Sequence, residues 1–167
     1  AREGRVDVVD ELAAHSPNLK FTLESVSDLE KTALHFAAKA GHVNVAERLI
    51  ELGANLVCRD NQGRTPLQLA VNENHVCMAQ KFLAYVSPTE IKVDGDVKVP
   101  RITLDEMDPK DTKYGGRALH MAGVKGHVEV AKLLVAHGAD VNVQNNRKRT
   151  PLHFAARFTK LAMIEFL

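Results

Sequence analysis

The chain has no tryptophan, two tyrosines and only 5% aromatic residues, so it carries no evident platform on which nucleic-acid bases would stack. It lacks an excess of either charge. Twenty-two Lys and Arg face 21 Asp and Glu for a formal net charge of +1, and global charge argues neither for nucleic acid nor for a membrane surface. No apolar run approaches the length of a bilayer span. There are two cysteines, Cys58 and Cys77, and no Cys-x-x-Cys or His-x-x-x-His spacing accompanies them. They read as thiols in a reducing compartment. No Asn-x-Ser/Thr acceptor occurs, in keeping with an intracellular protein, cytoplasmic or nuclear.

Motifs for chemistry are missing as well. Gly115-Gly116 is a turn doublet and not a phosphate-binding loop, and no Gly-x-Ser-x-Gly elbow is present. The carboxylates around Asp94 and Asp96 lack the Asp-x-Asp-x-Asp-Gly frame and the twelfth-position Glu of a calcium loop. No catalysis, cofactor or metal is expected of this segment.

What is present is a ruler. Thr150-Pro151-Leu152-His153 recurs as Thr32-Ala33-Leu34-His35, Thr65-Pro66-Leu67-Gln68 and Arg117-Ala118-Leu119-His120. Thr32 to Thr65 is 33 residues and Arg117 to Thr150 is 33 again, whereas Thr65 to Arg117 is 52, or 19 more than the period. A second pattern keeps the same phase: Gly41-His42-Val43-Asn44-Val45-Ala46 aligns with Gly126-His127-Val128-Glu129-Val130-Ala131. Within a unit the chemistry predicts helix, turn, helix and hairpin. Thr65 is an N-cap, Pro66 sits at the first helical position, and Gly41 and Gly126 stop a helix. Second helices should bury Val43, Val45, Ala46 and Leu49, and likewise Val76, Met78, Ala79 and Phe82, then Val128, Val130, Ala131 and Leu134, then Leu161, Met163, Ile164 and Leu167.

The 33-residue period with Thr-Pro-Leu-His-x-Ala resembles the ankyrin repeat. The resemblance implies an all-α repeat solenoid of stacked helix-turn-helix units with β-hairpin connections. It covers nearly the whole chain as a single domain of five units, at about 1–26, 27–59, 60–86, 112–144 and 145–167. Ser16-Pro17-Asn18 marks a helix end in the first unit. Both ends fall inside a unit, so a segment of a longer array is expected. In this family the Thr-Pro-Leu-His histidine is structural, which accounts for His35, His120 and His153, and the Gly-His turn accounts for His42, His75 and His127 in the same way.

Departures from the pattern carry predictions. Asn74 and Thr159 stand where a helix-ending glycine is usual, and Glu30 and Lys148 where a hairpin glycine is, so strain is expected there. Arg117 lacks a capping hydroxyl. The insertion, about 87–111, alternates on both sides of Asp94-Gly95 over 91–99, a hairpin signal that predicts a projecting finger. Residues 105–111 read as an acidic loop.

The resemblance implies binding through a concave face built from hairpin tips and first helices. By phase, the hairpin positions include Lys31, Asn61, Gln62, Arg64, Lys113, Tyr114, Asn146, Arg147 and Arg149. The first-helix positions include Lys39, Asn72, Lys125, Arg157 and Phe158. Cations gather in the C-terminal half with Tyr114 and Phe158 among them, which fits an acidic partner segment carrying an apolar anchor, since Arg forks pair with carboxylates and aromatics supply contact area. The expected function is a protein-interaction scaffold. The alternative is the substrate-recruiting module of a larger enzyme or ubiquitin-ligase adaptor. Oligomeric state stays open. Leu134 through Asp140-Val141-Asn142 also resembles the pattern at which some ankyrin repeats are hydroxylated on asparagine, which would target Asn142, although an ordinary unit looks the same.

Overall fold

A computed structural model describes residues 6–15, 24, 26–86 and 102–167. Ten helices occur among them: α1 Val6–His15, α2 Ala33–Ala40, α3 Val43–Glu51, α4 Pro66–Asn72, α5 Val76–Leu83, α6 Leu104–Met107, α7 Ala118–Lys125, α8 Val128–Ala136, α9 Pro151–Arg157 and α10 Leu161–Phe166. All but α6 stack in two layers. The inner layer runs α2, α4, α7, α9 and the outer layer α1, α3, α5, α8, α10, each helix packing on its neighbours in order. This is an all-α repeat solenoid. No strand forms among the described residues. The connecting hairpins are tight turns, closed by Asp60 N–H to the Arg64 carbonyl at 2.9 Å and Asn145 N–H to the Arg149 carbonyl at 3.0 Å.

Each helix pair can bury its apolar face only against another pair, and the inner helices α2, α4 and α7 bury their leucines this way, whereas Leu152 of α9 is 41% exposed. Leu34, Ala37, Ala38, Leu67, Ala70, Ala118, Leu119, Ala122 and Ala155 are buried, as are Val45, Ala46, Leu49, Met78, Ala79, Phe82, Val130, Ala131, Leu134 and Met163 from the outer layer. The small side chains bring backbones close. Gly123 is the extreme case, since a Cβ there would lie 2.8 Å from the Pro151 carbonyl oxygen. Of the positions expected in the seam, Val43, Val76, Val128, Ile164 and Leu167 are half-buried against the core, and Leu161, at the start of α10, is 72% exposed.

Polar contacts set the register that apolar contact cannot. His35 Nδ1 accepts from Thr32 N–H at 3.1 Å, which leaves the proton on Nε2 to donate to the Arg64 carbonyl of the next unit at 3.0 Å. His120 repeats this with Arg117 N–H at 3.1 Å and the Arg149 carbonyl at 3.0 Å. In the other direction His75 Nε2 meets the Lys39 carbonyl at 3.0 Å and His127 Nε2 the Asn72 carbonyl at 3.2 Å. Burial pushes His35 and His120 below the ordinary histidine range, so both are held neutral.

All four non-glycine residues singled out by the repeat phase adopt the left-handed region: Glu30 at φ 55°, Asn74 at 60°, Lys148 at 59° and Thr159 at 52°. The 91–99 finger lies outside the described residues.

Thr159 is the worst suited of the four, because a β-branched side chain crowds the left-handed backbone. Thr159→Gly is expected to raise stability by about 1 kcal/mol, and Asn74→Gly by a few tenths, since Asn tolerates this conformation. Urea unfolding of the two variants checks the order; equal gains would show that side-chain branching does not set the strain.

Candidate functional site

Three turns face one way along the concave side and are built alike. Asp60 Oδ1 accepts the Gln62 and Arg64 amides at 3.0 and 2.9 Å, and Asn145 Oδ1 accepts those of Arg147 and Arg149 at 2.9 and 3.0 Å. Asp111 accepts Lys113 N–H and Tyr114 N–H on Oδ1 and Gly116 N–H on Oδ2. The Asp111 turn is one residue longer than the other two, and the extra length carries Tyr114 outward, to 46% exposure. Single backbone bonds tie neighbouring tips together: Asn61 N–H to Leu29 O, Thr112 N–H to Gln62 O and Asn146 N–H to Tyr114 O, at 3.1, 3.0 and 3.1 Å.

Between the turns and the inner helices lies an open pocket of about 540 Å³. Of the residues singled out from the sequence it is lined by Gln62, Arg64, Asn72, Lys113, Tyr114, Arg147, Arg149, Arg157 and Phe158. Lys31, Lys39, Asn61, Lys125 and Asn146 do not line it; all but the half-buried Lys31 are exposed. The cations and aromatics are interleaved. Lys113 Nζ lies 5.1 Å and the Arg147 guanidinium 5.6 Å from the Tyr114 ring centroid, and the Arg157 guanidinium is 5.7 Å from that of Phe158. Such contacts hold cation and ring in place while leaving both able to meet a ligand.

Repeat phase missed part of this lining. Met121 and Phe154 form the floor with Val124, and the Phe154 ring meets His120 edge-on at 5.9 Å. Their signal was helical spacing, since Met121 precedes Val124 by three residues and Phe154 precedes Phe158 by four. Phase also missed that Arg64 is already engaged. Its Nε and Nη2 donate to Asp60 Oδ2 at 3.1 and 2.7 Å. Burial pushes the Asp60 carboxyl up, but the Arg64 guanidinium and the Arg64 and Gln62 amides outweigh it and hold the group below the ordinary carboxylate range.

The C-terminal part of the insertion departs from expectation. Residues 105–111 are not simply an acidic loop, since Leu104–Met107 form α6 and Asp108 and Pro109, which follow it, pack inward. Thr103 caps α6, accepting from Glu106 N–H at 3.3 Å, and Met107 and Asp108 are buried. Thr65 Oγ1 donates to the Met107 carbonyl at 2.7 Å. Gln68, standing where other units have histidine, donates from Nε2 to Asp108 Oδ1 at 2.7 Å and to the Pro109 carbonyl. The same Asp108 oxygen accepts Ala118 N–H at 2.7 Å. The hydroxyl that Arg117 fails to supply at the start of α7 is therefore replaced by a carboxylate from the insertion. Arg117 pairs with Asp105. Asp105 and Asp108 thus turn toward this junction, and of the described carboxylates between 102 and 111 the concave pocket is lined by Asp111 alone. Asn142 is exposed, on a turn where its N–H donates to Asp140 Oδ1 at 2.8 Å.

Helix pairs in register, capped by Thr-His and joined by Asp- or Asn-nucleated turns, define a repeat solenoid of the kind that presents a concave face. Comparison with known proteins agrees. A family model described as ankyrin repeats (3 copies) matches residues 1–95, and one described as ankyrin repeats (many copies) matches 119–167. The chain is 30% identical over 163 residues to neurogenic locus notch homolog protein 1 of Danio rerio, covering 87% of this chain and 6% of that protein. It is 31% identical to the Homo sapiens protein of the same name, over 75% of this chain and 6% of the relative. It is 33% identical to NF-kappa-B inhibitor alpha of Sus scrofa, over 71% of this chain and 33% of the relative. The chain belongs to the ankyrin repeat family, whose units are protein-interaction modules. It spans only a small part of the relatives it matches.

Burial pushes the Asp108 carboxyl up to about 6, against the Ala118 amide, the Gln68 amide and Arg117, which favour its charged form. The unfolded chain releases this proton near 3.8, so the group's favourable contribution is complete below that pH and is lost as pH rises through 6. Asp108→Asn keeps Oδ1 and removes the buried charge. It should hold full stability at pH 7 or gain about 1 kcal/mol, and that gain should shrink as pH falls toward 4. Asp108→Ala leaves two buried donors without an acceptor and should lose about 1–3 kcal/mol. Denaturant unfolding of both variants at pH 4, 5, 6 and 7 reads this directly; equal losses for the two would mean that the acceptor oxygen does not matter.

Proposed function

We propose that this chain is a protein-interaction scaffold whose C-terminal concave face takes an acidic segment of a partner carrying an apolar anchor. One observation carries the reading: the pocket of about 540 Å³ puts Lys113, Arg147, Arg149 and Arg157 around the exposed rings of Tyr114 and Phe158. Guanidinium groups offer paired donors to carboxylates, and a nearby aromatic face lets an apolar side chain leave water at the same site. Arg64 contributes less, because Asp60 already occupies its donors. Lys31, Lys39, Asn61, Asn72, Gln62, Lys125 and Asn146 extend the same face as a polar rim. Residues 87–101 of the insertion are a candidate second contact, whereas 102–111 serve the stacking of α4 on α7.

The reading includes a single domain of five units, no catalysis by this segment, and a cytoplasmic or nuclear setting. The two free thiols, Cys58 and Cys77, favour a reducing compartment. Among the described residues no helix is long and apolar enough to cross a membrane. A second reading follows from the share of the relatives that is covered, 6% and 33%. It makes this the recruiting part of a larger protein, an enzyme or a ubiquitin-ligase adaptor, and it uses the same groove. Hydroxylation of Asn142 is a separate proposal supported by its exposed turn, and a +16 mass on the peptide containing it tests it.

Affinity capture tests the main reading. A partner held by the native chain should be lost on charge reversal at Arg147, Arg149 and Arg157 together. It should weaken about tenfold or more with Tyr114→Ala and Phe158→Ala combined. A partner that stays bound to both variants binds elsewhere, with residues 87–101 the next surface to alter.

A further inference from the structure

The concave face contains an internal comparison. The Asp60 and Asn145 turns have the same length and the same backbone closure, with Gly63 N–H reaching the Asp60 carbonyl at 2.7 Å and Lys148 N–H reaching the Asn145 carbonyl at 3.0 Å. In each, one side-chain oxygen takes the amides two and four residues on. Each ends in an arginine, Arg64 or Arg149, whose carbonyl accepts from the preceding unit's histidine. The turns differ in the second side-chain atom. Asp60 Oδ2 is a charged acceptor and binds Arg64 through two guanidinium nitrogens. Asn145 offers an amide N–H2 at that position, which donates and cannot accept from a guanidinium. Among the described residues the ion pairs of the arginines involve Arg48, Arg64 and Arg117, and none involves Arg149. Asp111, the one carboxylate lining the pocket, is occupied by three backbone amides.

We propose that Asn145 is a specificity-determining residue: by withholding a carboxylate from Arg149 it keeps that guanidinium open for a carboxylate of an acidic peptide segment. The proposal rests on the reading of the concave groove as the partner site, and it adds the position that selects the partner's charge. Arg149 is half-buried in a pocket floored by Met121, Val124 and Phe154. A guanidinium there is less hydrated than one in open solvent, so an incoming carboxylate meets a stronger field than at the rim. An internal aspartate would satisfy the same donors before any partner arrived, as Asp60 does for Arg64. The fold is indifferent to the choice, because the turn needs only the one acceptor oxygen that Asp and Asn share. An acidic peptide fits better than nucleic acid. The net charge is +1, and aromatic residues make up only 5% of the chain.

The test uses the whole chain and a fluorescein-labelled short peptide of Asp and Glu around a single Phe, read by fluorescence polarisation at low salt. A Lys-for-acid peptide and a single-stranded oligonucleotide of equal length serve as competitors. Asn145→Asp should fold with unchanged thermal stability and bind the acidic peptide about tenfold more weakly. Arg149→Ala should weaken binding to a similar extent, and adding Asn145→Asp to it should have almost no further effect, because the two act through one guanidinium. Asp60→Asn should tighten binding by about threefold by freeing Arg64. The inference is overturned if the acidic peptide does not bind, if the oligonucleotide competes better than the acidic peptide itself, or if Asn145→Asp acts equally with and without Arg149. Tyr114→Ala with Phe158→Ala separates the two readings. If that pair abolishes binding while Asn145→Asp leaves it unchanged, the groove reading stands and the role of Asn145 falls. If that pair has no effect, the groove reading falls as well.

Discussion

The hydrogen bond from a buried histidine to the carbonyl of the next unit is the contact on which the rest of this structure depends. Apolar burial drives the helix pairs together but is non-directional, and a seam of Ala, Val and Leu would tolerate several offsets. His35 to Arg64 and His120 to Arg149 remove that freedom. The donor belongs to a helix start that its own Nδ1 has already capped, and the acceptor belongs to the last residue of a turn. One imidazole therefore fixes helix start, turn and neighbour at once. His75 and His127 do the same in the reverse direction, from second helices back to the ends of first helices. The concave pocket inherits its geometry from these bonds, because the carbonyls they hold belong to residues, Arg64 and Arg149, whose side chains line it.

The junction between the third and fourth units shows what this constraint permits. Nineteen residues are added to the period there, yet α4 still packs on α7 as α2 packs on α4. The bridge survives with different parts. Gln68 has the reach and the two donors to hold both Asp108 and Pro109, and Asp108 passes the connection to Ala118 N–H, the first amide of α7. Three partners, Ala118, Gln68 and Arg117, offset only part of the cost of placing a carboxyl in a dry site, which is why the group's pKa stays raised. Inserted length is cheap in free energy when its ends are held close together, since closure entropy grows only slowly with loop length. Here the holding is done by the insertion's own last residues.

The repeat phase made most of the architecture legible. It placed the helix pairs, the capping threonines, the structural histidines and all four left-handed residues, because each of these is a local requirement of one unit copied along the chain. It also brought nine of the fourteen residues proposed for partner contact to the lining of one pocket. It could not show Asp108 as a cap. That bond joins residues ten apart across an irregular segment, and no periodic pattern encodes it. An isolated acidic stretch, Asp105-Glu106-Met107-Asp108, reads as solvated until Gln68 is seen to need a partner. The single hint was the Gln itself, the only non-histidine in its column. Leu161 failed for a related reason: its apolar character fits the seam, but burial depends on what packs against it, which residue type alone does not state.

Fold and recognition are carried by different atoms of the same side chains in this array. In the two turns of equal length, one oxygen of Asp60 or Asn145 organises the backbone, and that requirement is blind to charge, whereas the longer turn uses both oxygens of Asp111. The remaining atom is free to be Oδ2 or Nδ2. At Asp60 it neutralises the neighbouring arginine, and at Asn145 it leaves the arginine alone. The electrostatic character of the groove can therefore vary between the Asp60 and Asn145 turns while both keep their backbone hydrogen bonds and His35 and His120 keep their carbonyls. A globular site would have to rearrange packing to achieve the same change. Here the change is confined to one atom at the rim, which explains how a stack of near-identical units can present a face whose C-terminal part is strongly basic within a chain whose overall charge is close to zero.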